Sequence, residues 1–182
     1  MLVMTNSSLL RKPKMTGIKL RPARRDDYKT IQRMFSEFNA SEFAKYDPIE
    51  HIDDTHVIAF LENMMQNHAI YAVTPAGTDR MIGYVCFHIA GEEYDIGYMI
   101  LAEYRGAGIA TAASEMAMEK VNEERGAKVF TATVAAENIP SVRVLEKLSF
   151  SLVSEKRVEK EENGTEYFII ERRYKKRFSC DV

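Results

Sequence analysis

Arg105-Gly106-Ala107-Gly108-Ile109-Ala110 has the residue types and spacing to hold a phosphate. An apolar run from Ile96 ends in this turn, and a helical pattern follows at once. Strand, glycine turn and helix, in that order, aim free backbone N–H groups at one point. The first turn of a helix leaves N–H donors unpaired, and the macrodipole adds partial positive charge there. Gly106 and Gly108 lack a Cβ, so a bulky anion can approach the backbone closely. Arg105 adds a forked donor suited to a diphosphate. A diphosphate-bearing ligand is the chemistry on offer, and a plain tight turn is the competing reading.

Other groups promise less. His51, Asp53, Asp54 and His56 invite a metal reading, but they lie at a helix start, where Asp is expected anyway. Their spacing matches no standard zinc pattern, so no metal is expected. His88 reads as an ordinary strand residue. The five basic residues of Arg172-Arg-Tyr-Lys-Lys-Arg177 are offset by Glu159, Glu161, Glu162, Glu166 and Glu171. They read as a solvated strand and tail, and no nucleic-acid partner is expected.

The chain has 182 residues, 46% hydrophobic and 29% charged, with a formal net charge of −2. That is enough for one domain with a real core and favours no strongly charged partner. Cys86 and Cys180 are far apart, which argues against a disulfide framework and for a reducing, cytoplasmic setting. No apolar run approaches the roughly 20 residues that span a bilayer, so no membrane partner is expected. Residues 1–15 read as a loose polar arm, with basic residues after Leu9-Leu10, the reverse of a secretory signal.

The elements that must position the glycine turn follow from periodicity. Ile18–Arg21 alternates as a strand and Pro22 stops it. Asp26-Asp27 open a helix with Ile31, Met34, Phe35 and Phe38 on one stripe. Asn39 to Ile49 is a loop containing Phe43, Tyr46 and Pro48. A second helix runs from Asp53 to about Asn67, with Val57, Ile58, Leu61, Met64 and Met65 on one face. Ala69–Val73, Met81–Ala90 and Tyr94–Leu101 are short neighbouring strands suited to an antiparallel meander. The helix after the glycine turn carries Ile109, Ala113, Met116, Ala117 and Val121 on one face, and Gly126 sits at its C-cap. Lys128–Val134 is a strand. Asn138 caps a short helix with Pro140 in its first turn. Phe150–Val158 and Tyr167–Arg173 flank Asn163-Gly164, a strong hairpin signal. The result is one α+β domain with no internal repeat.

That order of elements, with those two helix entries, resembles the GNAT N-acetyltransferase fold, a mixed, mostly antiparallel central sheet flanked by helices. The family's cofactor motif is Gln or Arg, two residues, Gly, one residue, then Gly or Ala. Here it reads Arg105-Gly-Ala-Gly108-Ile-Ala110. The family's second motif is an Asn, an apolar helix and Lys-Leu-Gly-Phe. Here it runs from Asn138 through Lys147-Leu-Ser149-Phe150. Ile96-Gly97-Tyr98, the Asn138 to Ser141 spacing and the Asn-Gly hairpin look most like the branch that acetylates ribosomal-protein N-termini. The resemblance covers about residues 16–175, leaving 1–15 as an arm and 176–182 as a tail.

The resemblance implies acetyl-CoA as donor and direct attack on it by an amine acceptor, a protein N-terminus or a small molecule. It implies a diphosphate on the turn formed by Gly106, Ala107, Gly108, Ile109, Ala110 and Thr111, with Arg105 nearby. A pantetheine arm would lie along Met99, Ile100 and Leu101, with Asn138 bonding one of its amides. It implies a monomer or homodimer. Many relatives place a Tyr seven residues after the Asn as the acid for the thiolate. Here that position is Leu145, and Ser141 is the available substitute. Ser149 stands where the family has Gly, a strain if the position needs positive φ. An attacking ammonium must first lose a proton. Asp95, with Glu93 second, is the expected base, and strand parity puts both on one face. Phe43, Tyr46 and Asp47 fall in the loop that lines the acceptor entrance in this fold. A non-catalytic acyl-CoA-binding module is the rival. A nucleotide-binding protein fits less well, because no Lys-Ser/Thr pair follows the glycines.

Overall fold

The computed structural model describes residues 17–46, 48–162 and 165–178. The arm, Asp47, Asn163-Gly164 and Cys180 lie outside the described residues. The elements are β1 (Ile18–Pro22), α1 (Tyr28–Asn39), α2 (Asp54–Asn67), β2 (Ala69–Pro75), β3 (Gly83–Ala90), β4 (Glu93–Ile100), α3 (Ile109–Arg125), β5 (Val129–Ala135), α4 (Ile139–Lys147), β6 (Ser151–Glu162) and β7 (Thr165–Arg177). This is the order expected from periodicity. The last strand is longer than expected: Lys176 and Arg177 complete β7 by pairing with Phe130 and Val129, so it runs into the expected tail.

One seven-stranded sheet has the order β1-β2-β3-β4-β5-β7-β6. Every neighbouring pair is antiparallel except β4 with β5, which run parallel. That single parallel pair follows from the α3 crossover, which returns the chain to the same end of the sheet.

The helices divide between the two faces. Tyr71 on β2 donates its hydroxyl to Glu124 on α3 at 2.7 Å, and Tyr71 pairs with Val85, which pairs with Tyr98. Tyr98 donates to the Ser141 carbonyl on α4 at 3.2 Å. So α3 and α4 cover the face carrying Tyr71, Val85 and Tyr98. The opposite face carries Tyr84, whose ring meets Phe60 of α2, and Phe60 in turn meets Phe35 of α1. The core lies on both sides of β2–β4: Val73, Val85 and Phe87 are fully buried on the α3/α4 face, and the pair Ala72 and Tyr84 is buried on the other.

Two methionines face outward against expectation. Met65 and Met116 are 39% and 36% exposed. On α3 the row Ile109-Ala113-Ala117-Val121 is buried, and its partner row contains Ser114 and Met118. Four-residue rows set the packed face, and Met116 lies outside both.

Helix α4 ends in a Schellman motif: Phe150 N–H bonds to the Leu145 carbonyl at 3.0 Å. Ser149 occupies the left-handed position at φ 61°, where the strain arises. Ser149→Gly should stabilise the chain by about 1 kcal/mol, a Tm rise of roughly 2–4 °C for this size, measurable by calorimetry.

Candidate active site

The glycine turn is built from three consecutive bends. After β4, Ala102–Tyr104 make one 3-10 turn in which Tyr104 N–H bonds to the Leu101 carbonyl at 2.9 Å. Gly106 and Gly108 both take φ 77°, and Gly108 is the residue that starts α3. The first helical bond of α3 comes from Ala112 N–H to the Gly108 carbonyl at 3.1 Å. The N–H groups of Ile109, Ala110 and Thr111 thus precede the helical ladder, and all three residues line a large cavity. A Cβ added at Gly108 would meet no protein atom within 4 Å, so it would project into open space.

Arg105 lines this cavity and is also held by the chain. Its Nε donates to the Ile100 carbonyl at 2.7 Å, and its guanidinium lies 3.5 Å from Glu37 on α1. Glu37 also accepts from Ala102 N–H at 2.8 Å and pairs with Arg33 at 3.0 Å. One carboxylate therefore staples α1 to the start of the turn. Nothing in the sequence marks it, since Glu on a helix flank is ordinary and its Ala102 partner lies 65 residues away. Glu37→Gln should raise the KM for acetyl-CoA about three- to tenfold, the scale of a partly exposed charge-assisted contact. Steady-state kinetics reads this as a KM increase larger than the fall in kcat.

Helix α4 supplies the neighbouring wall. The Asn138 side-chain oxygen accepts from Ser141 N–H at 3.3 Å, capping the helix. That leaves the Asn138 amide N–H₂ as the group able to meet a ligand carbonyl. Asn138, Ser141 and Leu145 fall on one side of α4 and all line the cavity. Leu145 is only 1% exposed, so the position that carries a phenol in relatives is part of the core here. Burial pushes the Tyr98 phenol up to about 12, so it keeps its proton and serves as a donor that holds the Ser141 carbonyl.

The two walls meet because β4 and β5 separate. They pair only through Glu93, Asp95 and the residue between, against Val129–Thr131. Beyond that point, Ile96–Ile100 and Ala132–Ala135 both line a cavity of about 760 Å³ and no longer pair with each other. The cavity passes through the sheet. On the α3/α4 face it reaches the glycine turn, Asn138 and Ser141. On the other face it reaches Phe38, Phe43, Tyr46, Asp95 and Glu171. Tyr167 on β7 donates to the Lys45 carbonyl at 2.5 Å, tying this loop to the strand whose Ile169 and Glu171 line the cavity.

The sequence-predicted residues separate clearly. Met99, Ile100, Arg105, Gly106, Gly108, Ile109, Ala110 and Thr111 gather with Asn138 and Ser141 around the cavity, whereas Leu101 and Ala107 are not among its lining residues. Leu101 is buried, with its N–H on the Ile82 carbonyl at 2.9 Å. Asp95 lines the cavity and accepts from the Thr131 hydroxyl at 2.8 Å. Glu93 shares its face but not the cavity. Lys175 and Arg173 hold it at 2.7 and 2.6 Å, and the Lys175 hydrogen bond keeps its carboxyl below the usual range. Asp53, from the histidine-aspartate group, is the N-cap of α2 and accepts from Thr55 and His56 N–H.

An amide-lined turn, a gap through a sheet and a long cleft suit a ligand with a diphosphate at one end and a flexible arm at the other. A model of the acetyltransferase (GNAT) domain matches residues 18–151. The chain belongs to the GNAT acetyltransferase family. As a GNAT N-acetyltransferase, it is an acyltransferase with acetyl-CoA as cosubstrate. It is 29% identical over 125 residues to an uncharacterized N-acetyltransferase, YnaD, of Bacillus subtilis, covering 67% of this chain and 74% of that one. Among solved structures it resembles RimL, a ribosomal L7/L12 alpha-N-protein acetyltransferase in complex with coenzyme A. The TM-score is 0.77 at 16% identity, over 93% of this chain and 99% of that one. It also resembles a GNAT-family acetyltransferase from Bacillus anthracis, with a TM-score of 0.73 at 23% identity, over 90% and 96% of the two chains. These likenesses carry the GNAT fold. Among the described residues no helix is long and apolar enough to cross a membrane.

Proposed function

We propose that this chain acetylates a primary amine by direct attack, with Asp95 and Ser141 on opposite sides of the gap between β4 and β5. The observation that carries the reading is the continuous cavity. It brings backbone donors on one face of the sheet and a carboxylate on the other to a single opening. Bound acetyl-CoA supplies the thioester carbonyl that the amine attacks.

The chain's own groups would act as follows. N–H groups from Gly106 to Thr111 hold the diphosphate, and the Asn138 amide orients the arm. Asp95 takes a proton from the incoming ammonium, directly or through one water. Its bond from Thr131 fixes the carboxylate against the strand and leaves the second oxygen to work. Ser141 offers its hydroxyl to charge developing on sulfur. Serine is a poor acid in water, so this is a hydrogen bond to the thiolate more than full proton transfer.

The acceptor side joins Asp95 with Phe38, Phe43 and Tyr46. That suits an ammonium next to an apolar group, such as a protein N-terminus or an aryl-alkyl amine. The α-N-protein acetyltransferase activity in the name of RimL supports the first. A panel of peptides and small amines scored by thiol release tests the reading. Turnover by amines with an adjacent apolar group is expected, and acetyl-CoA binding with no turnover on any amine would contradict it.

Ser141→Ala should lower kcat by roughly 10- to 10²-fold with little change in the KM for acetyl-CoA, the mark of a contact made mainly in the transition state. Full activity in that variant would remove Ser141 from the mechanism.

A further inference from the structure

Two cations on α4 have no role in what has been described. Arg143 and Lys147 are exposed, stand one helical turn apart and line the same cavity as Gly106 and Gly108. Neither makes an ion pair or hydrogen bond with any described residue, although Arg21, Arg24, Arg25, Arg33, Arg172 and Arg173 all bridge carboxylates. Lys147 is in the last turn of α4, where the dipole favours a cation, but Arg143 is mid-helix and that account does not reach it.

The position of the pair along the helix is informative. At 1.5 Å per residue, Arg143 and Lys147 stand roughly 7.5 and 13.5 Å down α4 from Asn138. Asn138 and Ser141 are polar and uncharged, at the end of α4 assigned to the thioester. The cations follow toward the other end of the same wall. Coenzyme A carries, besides its diphosphate, a phosphomonoester on the ribose at the end opposite the sulfur. With the diphosphate on the glycine turn as proposed above, that second anion is left without a partner.

We infer that Arg143 and Lys147 form a phosphomonoester subsite that selects coenzyme A over its dephosphorylated form. The inference rests on the acetyl-CoA reading of the cleft. An arginine fork and a mobile ammonium one turn apart can grip a dianion together, and charge-assisted bonds to phosphate are the strong class.

Isothermal titration of the full chain with coenzyme A and with dephospho-coenzyme A tests it. The wild type should bind coenzyme A about tenfold or more tightly, the scale of one or two charge-assisted bonds. The double variant R143Q/K147Q should lose that preference by weakening coenzyme A alone, and R143K/K147R should keep most of it. Equal affinities in the wild type, or a double variant that weakens both ligands alike, would overturn the subsite and leave the cleft assignment standing. Failure of the wild type to bind either ligand would overturn the cleft assignment and the subsite with it.

Discussion

Gly108→Val should abolish measurable acetyl-CoA binding while the chain stays folded. Gly108 sits at φ 77° at the start of α3, a left-handed conformation that costs a non-glycine residue about 1–2 kcal/mol, more for a β-branched one. A domain stable by about 5–15 kcal/mol survives that. The protein also has room, since a Cβ there meets nothing within 4 Å. The ligand does not, because the same open space is where a diphosphate must reach the amides. Losing two bonds to a charged group at about 1.5–3 kcal/mol each lowers affinity by at least about 10²-fold. Gly126→Val is the control. Gly126 has φ 67°, equally open surroundings, and caps the other end of the same helix away from the cavity. It should lower Tm by a similar amount and leave affinity intact. Near-normal affinity in Gly108→Val, with an unchanged circular dichroism spectrum, would remove the diphosphate from this turn.

Asp95→Asn should cost about 10²–10⁴-fold in kcat, the usual worth of a general base. Asparagine keeps the size of the side chain and can still accept from Thr131, so the strand packing survives. Glu93→Gln should leave kcat near the wild-type value, because Lys175 and Arg173 already occupy the Glu93 carboxylate. If Asp95→Asn and the double amide variant both leave kcat unmoved, the base lies elsewhere or the amine arrives neutral.

Much of this architecture is legible in local sequence. The glycine turn, the Asn138 cap and the Gly126 cap are short-range devices whose residue types carry their geometry. The strand and helix order follows from periodicity for the same reason. What sequence could not reveal depends on long-range register. Glu93 and Asp95 look equivalent along β4, two residues apart on one face. They differ because β7 lies beyond β5 and brings Arg173 and Lys175 over Glu93 only. Glu37 is likewise silent until α1 meets the turn. The shortness of the β4–β5 pairing, which opens the cavity, has no composition signal at all. Ser149 is a mixed case: its motif position raised the question of positive φ, and the fold answers it with φ 61°.

The most direct test of the account is a crystal structure of the chain with coenzyme A. The diphosphate oxygens should lie within about 3 Å of N–H groups between Gly106 and Thr111. The sulfur should emerge in the gap between β4 and β5, within reach of the Ser141 hydroxyl and open to the Asp95 side. A diphosphate seated away from the turn, or a sulfur that never enters the gap, would contradict it.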